Sequence, residues 1–127
     1  MVLRYVYTSE APQPVGPYSQ ALSSNGLLFL SGQLGIDPKT GEIVSGGVEA
    51  ETHQIFKNLT AVLKQGNSSL QKVIKCTVFL KNLNDFAAFN KIYETYFQPH
   101  KPARSTFSVV ELPKGGLVEI ELVAESA

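Results

Sequence analysis

Val73-Ile74-Lys75-Cys76-Thr77-Val78-Phe79-Leu80-Lys81 is followed, after a short polar break, by apolar residues at Phe86, Phe89, Tyr93, Tyr96 and Phe97. The hydrophobic period changes between these two segments. In the first, Ile74, Cys76, Val78 and Leu80 alternate with Lys75, Thr77 and Lys81, the period of a strand with one buried face. Phe79 keeps the other face partly apolar. In the second, the spacing of three and four residues is helical. Asn84 or Asp85 can cap that helix, and Pro99 and Pro102 stop it beyond Phe97.

Toward the N-terminus, Ile55, Phe56, Leu59, Val62 and Leu63 form the stripe of another amphipathic helix, over about 48–65. Ser45-Gly46-Gly47 offers capping chemistry at its start, and Gly66-Asn67 ends it as a left-handed cap does. Leu27-Leu28-Phe29-Leu30, between Asn25-Gly26 and Ser31-Gly32, reads as a buried strand. Asp37-Pro38-Lys39-Thr40-Gly41 is a turn. The segment 11–17 is a loop stiffened by three prolines, which restricts the approach to Tyr18 and Ser19.

Toward the C-terminus, strands over about 104–112 and 117–125 flank Pro113-Lys114-Gly115-Gly116, a hairpin-type connection, so the two should pair. In the last strand Val118, Ile120, Leu122 and Ala124 point one way. Glu119, Glu121 and Glu125 point the other, with Leu117 and Val123 among them. Strands, helix, strand, helix and strand pair predict an α+β fold, an antiparallel or mixed sheet with both helices on one face. The opposite face carries Phe79, Leu117 and Val123 beside polar residues, with no element left to cover it. That predicts a subunit interface; the alternative is a solvated face with scattered apolar residues.

The chain has 127 residues, which reads as a single domain over 1–127. A domain of this size buries roughly two thirds of its unfolded surface, so it needs no staple. Lys+Arg and Asp+Glu are 11 each, with no basic run, so a nucleic-acid partner is not expected. One cysteine, Cys76, leaves no disulfide framework, and His53 and His100 share no ligand spacing. A multi-cysteine metal site is therefore excluded. No apolar run approaches the roughly 18 residues of a membrane span. The first residues lack the apolar core of a secretory signal and the character of a transit peptide. A cytoplasmic location is expected, with a processed mitochondrial-matrix form as the alternative.

Glycine-rich phosphate loops and a G-x-S-x-G elbow are absent from the sequence. Ser31-Gly32-Gln33-Leu34-Gly35 is either a strand end that turns or a place where backbone at Gly32 comes close to a ligand. Cys76 falls on the inferred buried face and reads as an inert core thiol. His53 falls on the polar side of its helix. Arg104 and Glu119 lie on strands that should be neighbours. They form either a cross-strand ion pair or a small anion site, in which the guanidinium grips a carboxylate and Glu119 places a water.

Pro102-Ala103-Arg104-Ser105, followed by Val118-Glu119-Ile120, resembles the signature of the Rid family, the YjgF-type reactive intermediate deaminases. Gly16-Pro17-Tyr18-Ser19-Gln20-Ala21, Leu30-Ser31-Gly32-Gln33, Pro38-Lys39-Thr40-Gly41-Glu42 and the run from Val78 to Phe86 resemble the family pattern in the same order. The resemblance spans nearly the whole chain. It implies a chorismate-mutase-like α+β fold and a homotrimer with its sheets inward and its sites between subunits. It also implies hydrolysis of 2-imino acids or their enamine tautomers, 2-aminoacrylate and 2-aminocrotonate, to 2-keto acids and ammonia, without cofactor or metal.

By the same resemblance, Arg104 matches the carboxylate-binding arginine and Glu119 the acidic residue that orients or activates water. Tyr18 matches a cleft-lining tyrosine, Ser31 and Gly32 a strand-end pair facing the ligand, and Asn90 resembles a further cleft residue. Thr106 stands among these substrate-binding positions where the family usually has cysteine. That departure puts thiol-based regulation in question, not deamination, which asks for no thiol nucleophile. The alternative function is a non-catalytic member of the fold: a small-ligand binder, a chaperone-like protein or a translation regulator. Such a binder has no particular need for Glu119.

Overall fold

Asn25 and Gly26, both at positive φ (53° and 78°), fold the chain back between two short strands, as an Asn-Gly hairpin turn does. In the computed structural model, which describes residues 2–127, these are β2 (Ala21–Ser24) and β3 (Leu27–Leu34), preceded by β1 (Arg4–Val6). Helix α1 (Gly47–Gln65), β4 (Val73–Leu80), α2 (Phe86–Phe97), β5 (Ala103–Ser108) and β6 (Val118–Glu125) complete the order. The sheet is mixed, with six strands in the order β1-β2-β3-β6-β4-β5. Only the β4–β5 pair is parallel. Both helices pack on one face of this sheet, as the α+β reading predicts.

Each helix forms on the stripe that predicts it. Ile55, Phe56, Leu59, Val62 and Leu63 of α1 are fully buried, as is Phe89 of α2. Phe56 joins the helices: it stacks on Tyr96 at 4.4 Å between ring centroids and meets Phe97 edge-on at 5.6 Å. The N-terminal caps differ from expectation. Gly46, at φ 119°, starts α1 without a side-chain cap, so the Ser45 hydroxyl plays no such part. At its end the Gly66-Asn67 cap is as expected, with Asn67 supplying the left-handed residue at φ 61°. Before α2, Asp85 makes no capping bond. A 3-10 turn at Leu83–Asp85 leads into the helix instead, and Asn82 accepts a bond from the Asn84 amide at 2.9 Å.

The strand pattern departs from the sequence reading in three places. Ile74 is 44% exposed and Val73 is buried. Val73 pairs with Ala124 and Lys75 with Val123, so Ile74 is the extra residue of a β-bulge and the alternation slips by one there. Ser31-Gly32 is not a strand end. It lies inside β3, at a register shift between Leu30 and Gln33. Finally, β5 ends at Ser108 and does not pair with β6. Strand β4 lies between them, parallel to β5 and antiparallel to β6.

Burial explains that order. Val118, Ile120, Leu122 and Ala124 of β6 are all buried to 2% exposure or less, so β6 needs a helix-covered central position. No residue of β5 is buried, and β5 takes the edge. The connection between them passes the end of β4, where the Lys81 amide donates to the Leu117 carbonyl at 2.9 Å and Val109 to Leu80 at 2.9 Å. On the face away from the helices Phe29 and Phe107 are about half exposed, and Phe79 stacks loosely on Phe107.

Candidate functional site

Arg104 pairs in register with Cys76 and shares its helix-side face. Helix α2 supplies the surroundings of its guanidinium. Nη1 donates to Asn90 Oδ1 at 2.7 Å, and the Cζ atom lies 4.6 Å from the Tyr93 ring centroid and 5.5 Å from that of Phe86. These partners orient the cation but do not neutralise it. Among the described residues no carboxylate contacts it. The guanidinium therefore keeps bidentate donors for an incoming anion.

Two cavities flank this group. One, of about 440 Å³, has Asn90, Tyr93, His100, Lys101 and Arg104 in its walls. The other, of about 520 Å³, is lined by Leu83, Phe86, Arg104 and Thr106. Thr106 lies two residues beyond Arg104 on the same strand, and its buried hydroxyl makes no hydrogen bond. The Tyr93 hydroxyl is also buried without a well-formed bond, close to the Cys76 thiol and to Arg104. Burial is the main cause that pushes the Tyr93 phenol up, and it pushes the Cys76 thiol up to about 11. Cys76 is fully buried, the core thiol that its strand position predicts.

Glu119 pairs with Phe79 on one side and Leu34 on the other, and lies between buried Val118 and Ile120. It therefore projects from the face without helices. Its carboxylate lies over Gly32, so close that a Cβ there would collide with it, 2.9 Å from Cδ. Gly32 thus serves a close approach, but the approaching group is the protein's own carboxylate. A cavity of about 520 Å³ has Val15, Tyr18, Ser31, Gly32, Lys114 and Glu119 in its walls. Burial raises the Glu119 pKa above 4.5, and the Glu121 charge adds to the rise.

Gln20, a residue the sequence pattern did not single out, builds this wall. Its buried side chain accepts from the Thr8 amide at 2.7 Å and donates to the carbonyls of Thr8 (3.1 Å) and Pro12 (2.9 Å). The Ser31 hydroxyl donates to the Ser19 carbonyl at 2.6 Å, and the Ser31 amide to Gln20 at 3.0 Å. Ser31 thus latches the Tyr18 loop to β3. The Tyr18 side chain, 53% exposed, stands free in the cavity wall.

The predicted site residues therefore fall into two groups. Asn90, Arg104 and Thr106 meet on the helix side at the β5 edge. Tyr18, Ser31, Gly32 and Glu119 meet on the open face. The pairing expected between Arg104 and Glu119 does not exist within one chain: β4 separates their strands, and they project from opposite faces.

This two-sided layout sits on a recognisable chain. The family model described as Endoribonuclease L-PSP, the YjgF/Rid family, matches residues 8–126. The chain belongs to the Rid family. A RutC family protein of Pyrococcus horikoshii is 50% identical over 94% of each chain. A 2-iminobutanoate/2-iminopropanoate deaminase of Capra hircus is 45% identical over 98% of this chain and 90% of its own. Among solved Rid-fold structures, E. coli TdcF with bound serine superimposes with a TM-score of 0.92, at 35% identity over 98% of this chain and 99% of that one.

Proposed function

We propose that this protein hydrolyses 2-imino acids and their enamine tautomers to 2-keto acids and ammonia, in a homotrimer whose clefts join the Arg104 group of one copy to the Glu119 group of the next. The observation that carries this reading is the Arg104 guanidinium, oriented by Asn90 and two rings and left without a carboxylate partner. Such a group holds the carboxylate common to this substrate class. The half-exposed Phe29 and Phe107 give the open face a reason to be covered by another copy. The deaminase name of the goat relative and the serine bound to TdcF, an amino acid of the same carboxylate class, agree with it.

The chemistry follows from the two groups. Arg104 fixes the carboxylate, and with it the adjacent C=N carbon. Glu119, as carboxylate, takes a proton from water while the water oxygen bonds to the carbon of the protonated imine, C=NH2+, and the C=N π pair moves to nitrogen and neutralises it. The resulting carbinolamine carries one OH and one amine. Glu119 then returns the proton to nitrogen, the C–N bond breaks, ammonia leaves, and the C=O closes with loss of the hydroxyl proton to solvent. Raising the Glu119 pKa by burial makes it a better base for this exchange.

A ribonuclease reading has less support, since Lys+Arg and Asp+Glu balance at 11 each. The test couples a pyridoxal-phosphate dehydratase to the protein and follows keto-acid release from serine or threonine. Wild type should accelerate release. Arg104→Ala, with its assembly confirmed, should not. A well-folded wild type without acceleration across several precursors overturns the proposal in favour of a ligand-binding role.

A further inference from the structure

Glu51 of α1 is a buried carboxylate, 4% exposed, distant in sequence from every residue of the candidate site. Its Oε1 accepts the Leu117 amide at 2.8 Å. The Val118 amide is a second backbone contact. The same Leu117 peptide is held at its carbonyl by Lys81, at 2.9 Å. Leu117 is thus clamped at both ends, by α1 and by the end of β4. It stands between two parts of the Glu119 cavity. Before it, Pro113 and Lys114 form one wall; Lys114 and Gly115 take left-handed backbone at φ 58° and 71°. After it, by two residues, comes Glu119 itself. On its other side Glu51 abuts Gly35, where any Cβ would come within 2.8 Å of the Glu51 Cα. Gly35 follows Leu34, the register partner of Glu119.

We propose that Glu51 is a positioning residue for Glu119: by holding the Leu117 amide it fixes how β6 leaves its loop and where the Glu119 carboxylate lies over Gly32. A buried carboxylate is costly to keep, and a neutral side chain would tie α1 to β6 with less penalty. Its use at the base of the catalytic strand fits a demand for a strong, fixed acceptor. This inference rests on the deaminase reading for its kinetic consequence, not for its structural one.

The experiment compares Glu51→Asp, Glu51→Ala and Glu51→Gln with wild type, in the assembled protein. Aspartate is one methylene too short to reach the Leu117 amide without a shift of α1. Displacing a catalytic group by about 1 Å costs on the order of 100-fold. Glu51→Asp and Glu51→Ala should therefore lower kcat about 10- to 100-fold, with KM within about twofold because the Arg104 group is untouched. Glu51→Gln keeps an acceptor and should stay within about threefold of wild-type kcat. A second readout needs no turnover: carbon NMR of the Glu119 carboxyl should show its titration midpoint displaced in Glu51→Asp and retained in Glu51→Gln.

A folded Glu51→Asp protein with unchanged kcat and unchanged Glu119 titration overturns the proposal. So does a rise in KM that equals the loss in kcat/KM. If the aspartate and alanine variants fail to fold, Glu51→Met takes their place, since it keeps the length of the side chain and removes the acceptor for the Leu117 amide. The Glu119 titration midpoint should then be displaced in Glu51→Met, and an unchanged midpoint in the folded variant refutes the proposal. If wild type turns over no imine yet Glu119 responds to Glu51→Asp, the deaminase reading fails and the positioning role stands.

Discussion

Arg104 and Glu119 project from opposite faces of one sheet, with β4 between their strands. A single chain cannot bring a guanidinium from one face and a carboxylate from the other onto one small substrate. Under the proposed function, each site draws one group from each of two copies.

Complementation follows. Arg104→Ala and Glu119→Gln chains, each inactive alone, should recover activity when dissociated together and reassembled. In a random 1:1 mixture about a quarter of the clefts receive an intact Arg104 and an intact Glu119. Activity near a quarter of wild type supports the shared site. Recovery no greater than that of either variant reassembled alone shows that both groups serve from one chain.

Asn90 accepts from the Arg104 guanidinium at 2.7 Å. Asn90→Ala should leave the cation in place over Tyr93 but free to rotate. A hydrogen bond to a charged group contributes about 1.5–3 kcal/mol, so kcat/KM should fall about 10- to 100-fold, mostly through KM. Steady-state kinetics on the coupled assay measure the split.

The pH profile should report Glu119. Burial and then Glu121 hold its pKa above 4.5, so the active carboxylate form is lost on the acid side at a higher pH than for a free glutamate. Removing the Glu121 charge removes one cause of the rise and lowers the pKa. The acid limb of kcat/KM should therefore move to lower pH in Glu121→Gln, with the burial contribution remaining. Lys114 and Tyr18 share the cavity and are left in place, so the comparison isolates Glu121.

Gly32→Ala is a geometric test. The added methyl collides with the Glu119 carboxylate, a flexible side-chain end that can swing away. Activity should fall by about 100-fold, the scale of a displaced catalytic group, while thermal unfolding moves little. Retained activity would mean that Glu119 works from another position.

Much of the fold was legible because helices announce themselves in periodicity. The stripes at Ile55–Leu63 and Phe86–Phe97 placed both helices, and the alternation in β6 placed Glu119 opposite the core. Strand order was not legible. Pro113-Lys114-Gly115-Gly116 has hairpin composition but joins two strands on either side of β4, because local turn chemistry does not say which strand needs the centre. The bulge at Ile74 was hidden for a similar reason: one extra residue leaves the sequence alternation intact while shifting the face.

The candidate site residues came from resemblance, position by position, and not from geometry. Arg104 and Glu119 read as neighbours until β4 came between them. Glu51 escaped altogether, and Gln20 drew notice only as part of the 16–21 motif. Each is a lone polar residue whose partners are backbone groups far along the chain, and no periodicity marks such a bond.

A guanidinium with no counter-ion of its own chain has a consequence outside the molecule. Under the proposed function, every small carboxylate and oxyanion in the surrounding medium competes with substrate for Arg104, and acetate, citrate or sulfate in a buffer would occupy its place. The fraction of vacant sites, and hence the observed rate, then depends on the anion pool as much as on the protein.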